Sequence, residues 1–237
     1  MNNSKDYKVT LYLMRHGETI LNKAGRTQGW CDGVLTKKGM DISINAGLGL
    51  SNINFKAIYS SDLGRAVKTA EIVMKENTAS KDLKLIKSEN LREVYFGKYE
   101  GGLDTKFYKD ILNYLKVESF EEAEKKYNLQ KEFCNACATL DETNEAENYD
   151  TALNRFLSFL EKVCKENVKT GGGNILIVTH GGIMRLVLDY LNKNNLNIRE
   201  IDNDSISIIQ YKNGNYNIES INDTSYAERG KVIRTIL

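Results

Sequence analysis

The chain has 237 residues, with 33 Lys and Arg against 32 Asp and Glu and a formal net charge of +1. A balance this close argues against a nucleic-acid binder working through a broad basic face, and against an acidic tail protein. Hydrophobic residues at 41% and charged residues at 27% exclude wholesale disorder and supply a sizeable core.

The opening residues Met1-Asn-Asn-Ser-Lys-Asp6 hold no apolar stretch, and no apolar run approaches the ~18 residues that span a bilayer. The expectation is a soluble cytoplasmic protein with neither membrane nor nucleic-acid partners. Lys8 to Met14 is a short, mostly apolar run that reads as a buried strand, and Arg15-His-Gly-Glu18 follows at once. A loop runs to about Thr36, which can cap a helix from Lys37 to Leu50. Ala57 to Ser60 is a second strand. Ser61 and Asp62 read as the cap of a helix to about Glu76, with Ala66, Ala70, Val73 and Met74 on its apolar stripe. Leu83 to Ile86 is a third strand, leading into Leu91-Arg-Glu-Val-Tyr-Phe-Gly97.

From about Asp104 to Asp150 the character changes. Acidic residues outnumber lysines, and no arginine occurs between Arg92 and Arg155. We read a helical insertion capping one main domain over 1–237, with its charge on a solvated outer face. Ala152 to Val168 is an amphipathic helix ended by Gly171-Gly-Gly173. Asn174 to Thr179 is the strongest parallel-strand signal, followed by His180-Gly-Gly182 and an apolar helix from Ile183 to Leu191. Ser205 to Lys212 and Tyr216 to Ile221 alternate around Asn213-Gly214, a hairpin signal. The order predicts an α/β fold: a three-layer α/β/α sandwich with a mostly parallel sheet, an antiparallel edge and a helical cap.

The chain has two histidines, His16 and His180, and each follows a strand and precedes glycine. Strand carboxyl ends line the ligand crevice of an open parallel sheet, so both imidazoles should enter one cleft. Arg65 falls in the first turn of a helix, where a cation opposes the dipole unless an anion lies between. The bland alternative is a salt bridge to Asp62 or a nearby carboxylate. With Arg15 beside His16, the set describes a pocket for a tetrahedral dianion such as phosphoryl.

These residues resemble a family. Arg15-His-Gly-Glu-Thr19, Asn22, Gly25-Arg-Thr-Gln-Gly29, Leu35-Thr36, the Tyr59-Ser-Ser…Arg65-Ala…Thr69-Ala helix, Leu91-Arg-Glu93…Phe96-Gly97…Glu100-Gly101 and Thr179-His-Gly-Gly182 are similar to the histidine phosphatase superfamily, in its phosphoglycerate mutase-like branch. The match touches nearly every segment except the insertion. The resemblance implies a metal-free, cofactor-free phosphatase that hydrolyses small phosphomonoesters through a phosphohistidine. It makes His16 the nucleophile and Glu93 the proton donor, with Arg15, Asn22, Arg65 and His180 around the phosphoryl group. Gly17, Thr19, Gln28, Gly29 and Gly181 complete the expected binding loops, and phosphate or sulfate is expected to fit the same place. Leu21 and Tyr99 stand where tryptophan is common in the family, and Lys37 and Lys38 where proline often sits.

Alone, Glu93 would read as a surface carboxylate paired with Arg92 or Lys98. His16-x-Glu18 and Cys134-x-x-Cys137 echo a zinc deaminase, but they lie far apart with no proline before the cysteines, which fit a lid helix better. A non-catalytic phospho-ligand binder would be expected to have lost His16, Glu93 or an arginine. A phosphoglycerate mutase needs extra cations over the pocket, and the arginine-free acidic insertion favours hydrolysis.

Overall fold

The computed structural model describes residues 7–193, 198 and 200–236. In chain order these form β1 (Val9–Arg15), α1 (Ile20–Lys23), α2 (Lys37–Gly49), β2 (Phe55–Ser61), α3 (Gly64–Glu76) and β3 (Leu85–Ser88). Then come α4 (Asp104–Leu115), α5 (Phe120–Lys126), α6 (Leu129–Leu140), α7 (Tyr149–Lys169), β4 (Gly173–Thr179) and α8 (Gly181–Leu191). The hairpin of β5 (Ile206–Lys212) and β6 (Asn215–Asp223) follows, and α9 (Ser225–Ile236) ends the described chain.

β1 is mostly apolar because both of its faces are covered. Val9, Leu11 and Leu13 pack with Ile175 and Ile177 of β4 against Phe156, Leu160, Ile183 and Val187 of α7 and α8. Tyr12 and Met14 face the other way, with Leu176 and Val178, toward Ala46, Ala66, Ala70, Val73 and Tyr226 of α2, α3 and α9. The two-residue period of the strand thus divides one run between two cores. The six strands run in the order β3-β2-β4-β1-β5-β6. β1 and β2 both pair parallel with β4, and β5 and β6 close one edge antiparallel. The predicted three-layer sandwich is the observed fold.

The stretch before α7 builds a small third core from Phe107, Ile111, Leu115, Ala123, Leu129 and Cys137, closed below by Tyr99. Asp141 ties its far end down by accepting from the backbone N–H groups of Lys98, Thr143, Glu145 and Ala146. Those donors hold the Asp141 carboxyl well below the usual range against the opposing effect of burial.

Thr36 caps α2 as expected, accepting from Gly39 N at 2.9 Å. The cap of α3 differs from expectation. Its N-cap residue is Leu63, with no side-chain capping bond of its own, and the acceptor arrives from the preceding loop. The Asp32 carboxylate takes the N–H groups of Gly64 and Arg65. Asp62 instead pairs with Arg92 at 2.5–2.8 Å.

α9 has no counterpart among the predicted elements, because only Tyr226 and Gly230 of it are buried and no apolar stripe announces it. It docks on α2 by backbone approach. A Cβ at Gly230 would run into the Asn45 carbonyl, and one at Gly49 into the Tyr226 carbonyl. Gly230→Ala should therefore cost about 1–3 kcal/mol of stability in urea unfolding, as overpacking does. The exposed neighbour Lys231→Ala should move the midpoint little.

Candidate active site

Register alone brings the histidines together. Arg15 of β1 stands opposite Thr179 of β4 in the parallel pairing, so the next residues, His16 and His180, leave the sheet side by side. His16 N donates to the Thr179 carbonyl at 2.9 Å, and the imidazole centroids lie 5.2 Å apart. Both side chains are buried.

The His16 ring is oriented by its neighbours. Nδ1 lies 2.8 Å from the Gly17 carbonyl, which can only accept, so Nδ1 carries the proton. Nε2 keeps its lone pair and receives Arg65 Nε at 3.2 Å. Burial, then the charges of Arg65 and Arg15, hold His16 well below the ordinary histidine range, and His180 is depressed by burial and the same arginines. Both rings are neutral at physiological pH.

Arg65 is 1% exposed, and its guanidinium is fully engaged. Nη1 reaches Cys31 O at 3.0 Å and Asp32 Oδ1 at 3.1 Å, and Nη2 reaches Gly29 O at 2.6 Å. The carboxylate foreseen for Arg65 is thus Asp32, not Asp62. Glu100 braces the same loop, accepting from the N–H groups of Gly29, Trp30 and Cys31.

Glu93 is 6% exposed, which removes the surface salt-bridge alternative. Arg92 is held by Asp62 and lies over the Trp30 ring, and Lys98 pairs with Glu142. The Glu93 carboxyl sits on the N-terminus of α8, taking Gly182 N at 2.8 Å and Ile183 N at 2.6 Å, with Val94 N at 2.9 Å. Burial nevertheless raises its pKa, outweighing these donors and Arg65. Arg155 fixes the strand of backbone beneath, donating to the carbonyls of Asn90, Arg92 and Glu93.

A cavity of about 620 Å³ opens in front of this centre, and Arg15, His16, Asn22, Gln28, Glu93 and Gly181 border it. Arg65 and His180 are buried against the His16 ring. Gly17, Thr19 and Gly29 serve the frame: their N–H groups go to Thr69, Asn22 and Glu100. The two glycines after His180 answer to close packing. A Cβ at Gly181 would meet Arg15 Nε at 2.9 Å, and one at Gly182 would meet Glu93 Oε1 at 2.8 Å. Around this centre, Arg15 Nε, Gln28 Nε2, Arg185 Nε and the His180 ring nitrogens are buried with no partner among the described residues. Buried donors left open in this way are what a ligand rich in acceptor oxygens satisfies.

Among the described residues, no three His, Cys, Asp or Glu side chains converge to hold a metal ion. Cys134 and Cys137 are buried free thiols on α6. Among the described residues no helix is long and apolar enough to cross a membrane.

Sequence reasoning missed Asp32, Arg155, Asn203 and Asp204, which no local motif marks. Asn203 Nδ2 donates to the His16 carbonyl at 2.9 Å. Asp204 is buried next to it, with Oδ1 2.6 Å from Ser43 Oγ, while that same hydroxyl lies 2.9 Å from the Gly39 carbonyl. One hydroxyl hydrogen cannot serve both acceptors. A proton on Asp204 lets the carboxyl donate to Ser43 and Ser43 to Gly39, and burial raises the Asp204 pKa from 3.8 to about 7. The folded state then binds this proton more tightly than the unfolded chain. Its stabilisation is complete below pH 3.8 and lost as pH rises through about 7. Thermal melts from pH 5 to pH 8 should show a steeper fall in Tm for the wild type than for Asp204→Asn; parallel falls would mean Asp204 is ionised throughout.

The sequence profile of the histidine phosphatase superfamily (branch 1) matches residues 11–224. The chain is 28% identical over 230 residues to a metal-independent phosphoserine phosphatase of Arabidopsis thaliana, covering 94% of this chain and 87% of that one. It is 30% identical over 209 residues to a 2,3-bisphosphoglycerate-dependent phosphoglycerate mutase of Methanococcus vannielii, covering 81% and 84%. The crystal structure of a phosphoglycerate mutase from Bacillus anthracis superposes with a TM-score of 0.90 at 36% identity, covering 97% of this chain and all of the other. With its paired histidines, buried arginine and open donors in this arrangement, the chain belongs to the histidine phosphatase superfamily.

Proposed function

We propose that the protein is a metal-independent phosphatase that hydrolyses small phosphomonoesters through a phosphohistidine on His16. The observation that carries this is the neutral His16 Nε2, held by Arg65, with the His180 ring beside it and unpartnered buried nitrogens on His180, Arg15 and Gln28. Phosphoryl transfer needs positioning and charge neutralisation more than bond chemistry, and the guanidiniums of Arg15 and Arg65 supply both without a metal.

In the first step Nε2 attacks phosphorus and the bond to the ester oxygen breaks. Glu93, its pKa raised by burial, gives its proton to the departing alkoxide. In the second step water attacks the phosphorus, Glu93 takes a proton from it, and the P–N bond returns its electron pair to Nε2. Arg15, His180 and Gln28 hold the three phosphoryl oxygens through both steps. Asn22 assists them, since its Oδ1 is turned to Thr19 N and its NH₂ end is left for a ligand.

A mutase uses the same intermediate but returns the phosphoryl group to a second hydroxyl. The likeness to the Bacillus anthracis mutase favours that reading. Against it, the cavity's helical cap contributes Asp104, Glu121 and Glu124 and no arginine.

Three measurements test the proposal. His16→Ala should abolish turnover of p-nitrophenyl phosphate and of 3-phosphoglycerate, and the wild type should trap phosphate in an acid-labile, alkali-stable bond; label on serine or cysteine would overturn it. Activity should persist in excess EDTA, and loss reversed by zinc or magnesium would sink the metal-free mechanism. Glu93→Gln should slow alkyl phosphates by ~100-fold or more and p-nitrophenyl phosphate far less, because phenolate leaves without a proton. Isomerisation of 3-phosphoglycerate primed by 2,3-bisphosphoglycerate, faster than release of inorganic phosphate, would establish the mutase.

A further inference from the structure

The cavity is far larger than the phosphoryl centre at its base. Its volume of about 620 Å³ falls in the ~300–1,000 Å³ range of sites that enclose a whole small ligand. A three-carbon phosphate ester leaves most of it to water.

The upper wall is aromatic and comes from the cap. Tyr108 of α4, Phe120 of α5 and Phe133 of α6 all border the cavity. They touch one another, with centroids 5.5 Å apart for Tyr108 and Phe120, 6.2 Å for Tyr108 and Phe133, and 6.1 Å for Phe120 and Phe133. Phe107 backs the group, 5.1 Å from Phe133. Tyr108 keeps 42% of its surface exposed, although Phe107 beneath it is buried. Tyr108 borders the same cavity as Arg15, His16 and Glu93. An aromatic cluster open on the side that faces the site is a surface for a flat apolar group.

Charge around the wall points the same way. Arg26 and Arg185 border the cavity, but Arg26 is tied to the Gly101 carbonyl at 2.6 Å. Asp104, Glu124, Glu200 and Asp202 border it too, the last three exposed. Arg185 keeps an unpartnered Nε, but among the described lining residues a second phosphate or carboxylate on the substrate meets more carboxylates than guanidiniums.

We infer that the preferred substrates are monophosphates of an alcohol bearing an aromatic or apolar group and no second anion, with Tyr108, Phe120 and Phe133 as the residues that select them. This rests on the phosphatase reading for the chemistry but not for the binding. A preference of tenfold or more is expected, as burying one aromatic ring supplies.

Two phosphonates that cannot be hydrolysed test the wall apart from the reaction. Calorimetry on the wild-type protein should show 2-phenylethylphosphonate binding at least about tenfold tighter than ethylphosphonate. Tyr108→Ala and Phe120→Ala should bring that ratio toward one, and Tyr108→Phe should preserve it; an inactive fraction cancels from the ratio. Equal affinities in the wild type, or tighter binding of 3-phosphoglycerate than of 2-phenylethylphosphonate, would overturn the inference. A retained preference without turnover of 2-phenylethyl phosphate upholds the wall and overturns hydrolysis instead.

Discussion

One buried guanidinium organises the site. Arg65 has essentially no contact with water, and its N–H groups are committed to His16 Nε2, to backbone carbonyls at Gly29 and Cys31, and to Asp32. A charge taken out of water costs several kcal/mol unless its donors are satisfied, so the loop and the helix must come together around it. Asp32 completes this by capping the same helix whose first turn carries Arg65. The cation that should disfavour a helix start is neutralised by the loop it holds.

From that arrangement the electrostatics follow. Burial and two arginines disfavour the protonated form of His16, so Nε2 keeps its lone pair, which accepts from Arg65. The same burial acts in the opposite sense on Glu93 and keeps its carboxyl protonated more readily than in water. A single dry environment thus favours the neutral forms of both a base and an acid that border one cavity, because it penalises whichever form is charged. The α8 N-terminus moderates the second effect by hydrogen-bonding the carboxylate.

The cap adds a second layer of meaning to the frame. Its own core of Phe107, Ile111, Leu115 and Leu129 is separate from the two cores of the sheet. The phosphoryl centre is built by strand ends and helix starts, whereas the aromatic wall above it is carried by α4, α5 and α6. Chemistry and selectivity therefore lie on parts of the chain that can vary independently.

The sequence by itself determined the layers and the pairing of the two histidines at the carboxyl end of the sheet. Apolar runs of seven residues or fewer, each followed by a charged or glycine-rich turn, specify buried parallel strands with chemistry at their ends, because that pattern depends only on local alternation. His16, Arg65 and His180 were legible for the same reason. Only the tertiary structure decided which carboxylate serves which cation. Asp32, not Asp62, meets Arg65, and Glu93 meets α8 and neither Arg92 nor Lys98. It also decided that α9 exists as a packed helix, through glycine contacts that leave no apolar stripe, and that Asp204 lies buried beside Ser43. Such pairings join residues far apart in the chain, and sequence periodicity records what is near along the backbone, not what the fold brings near in space.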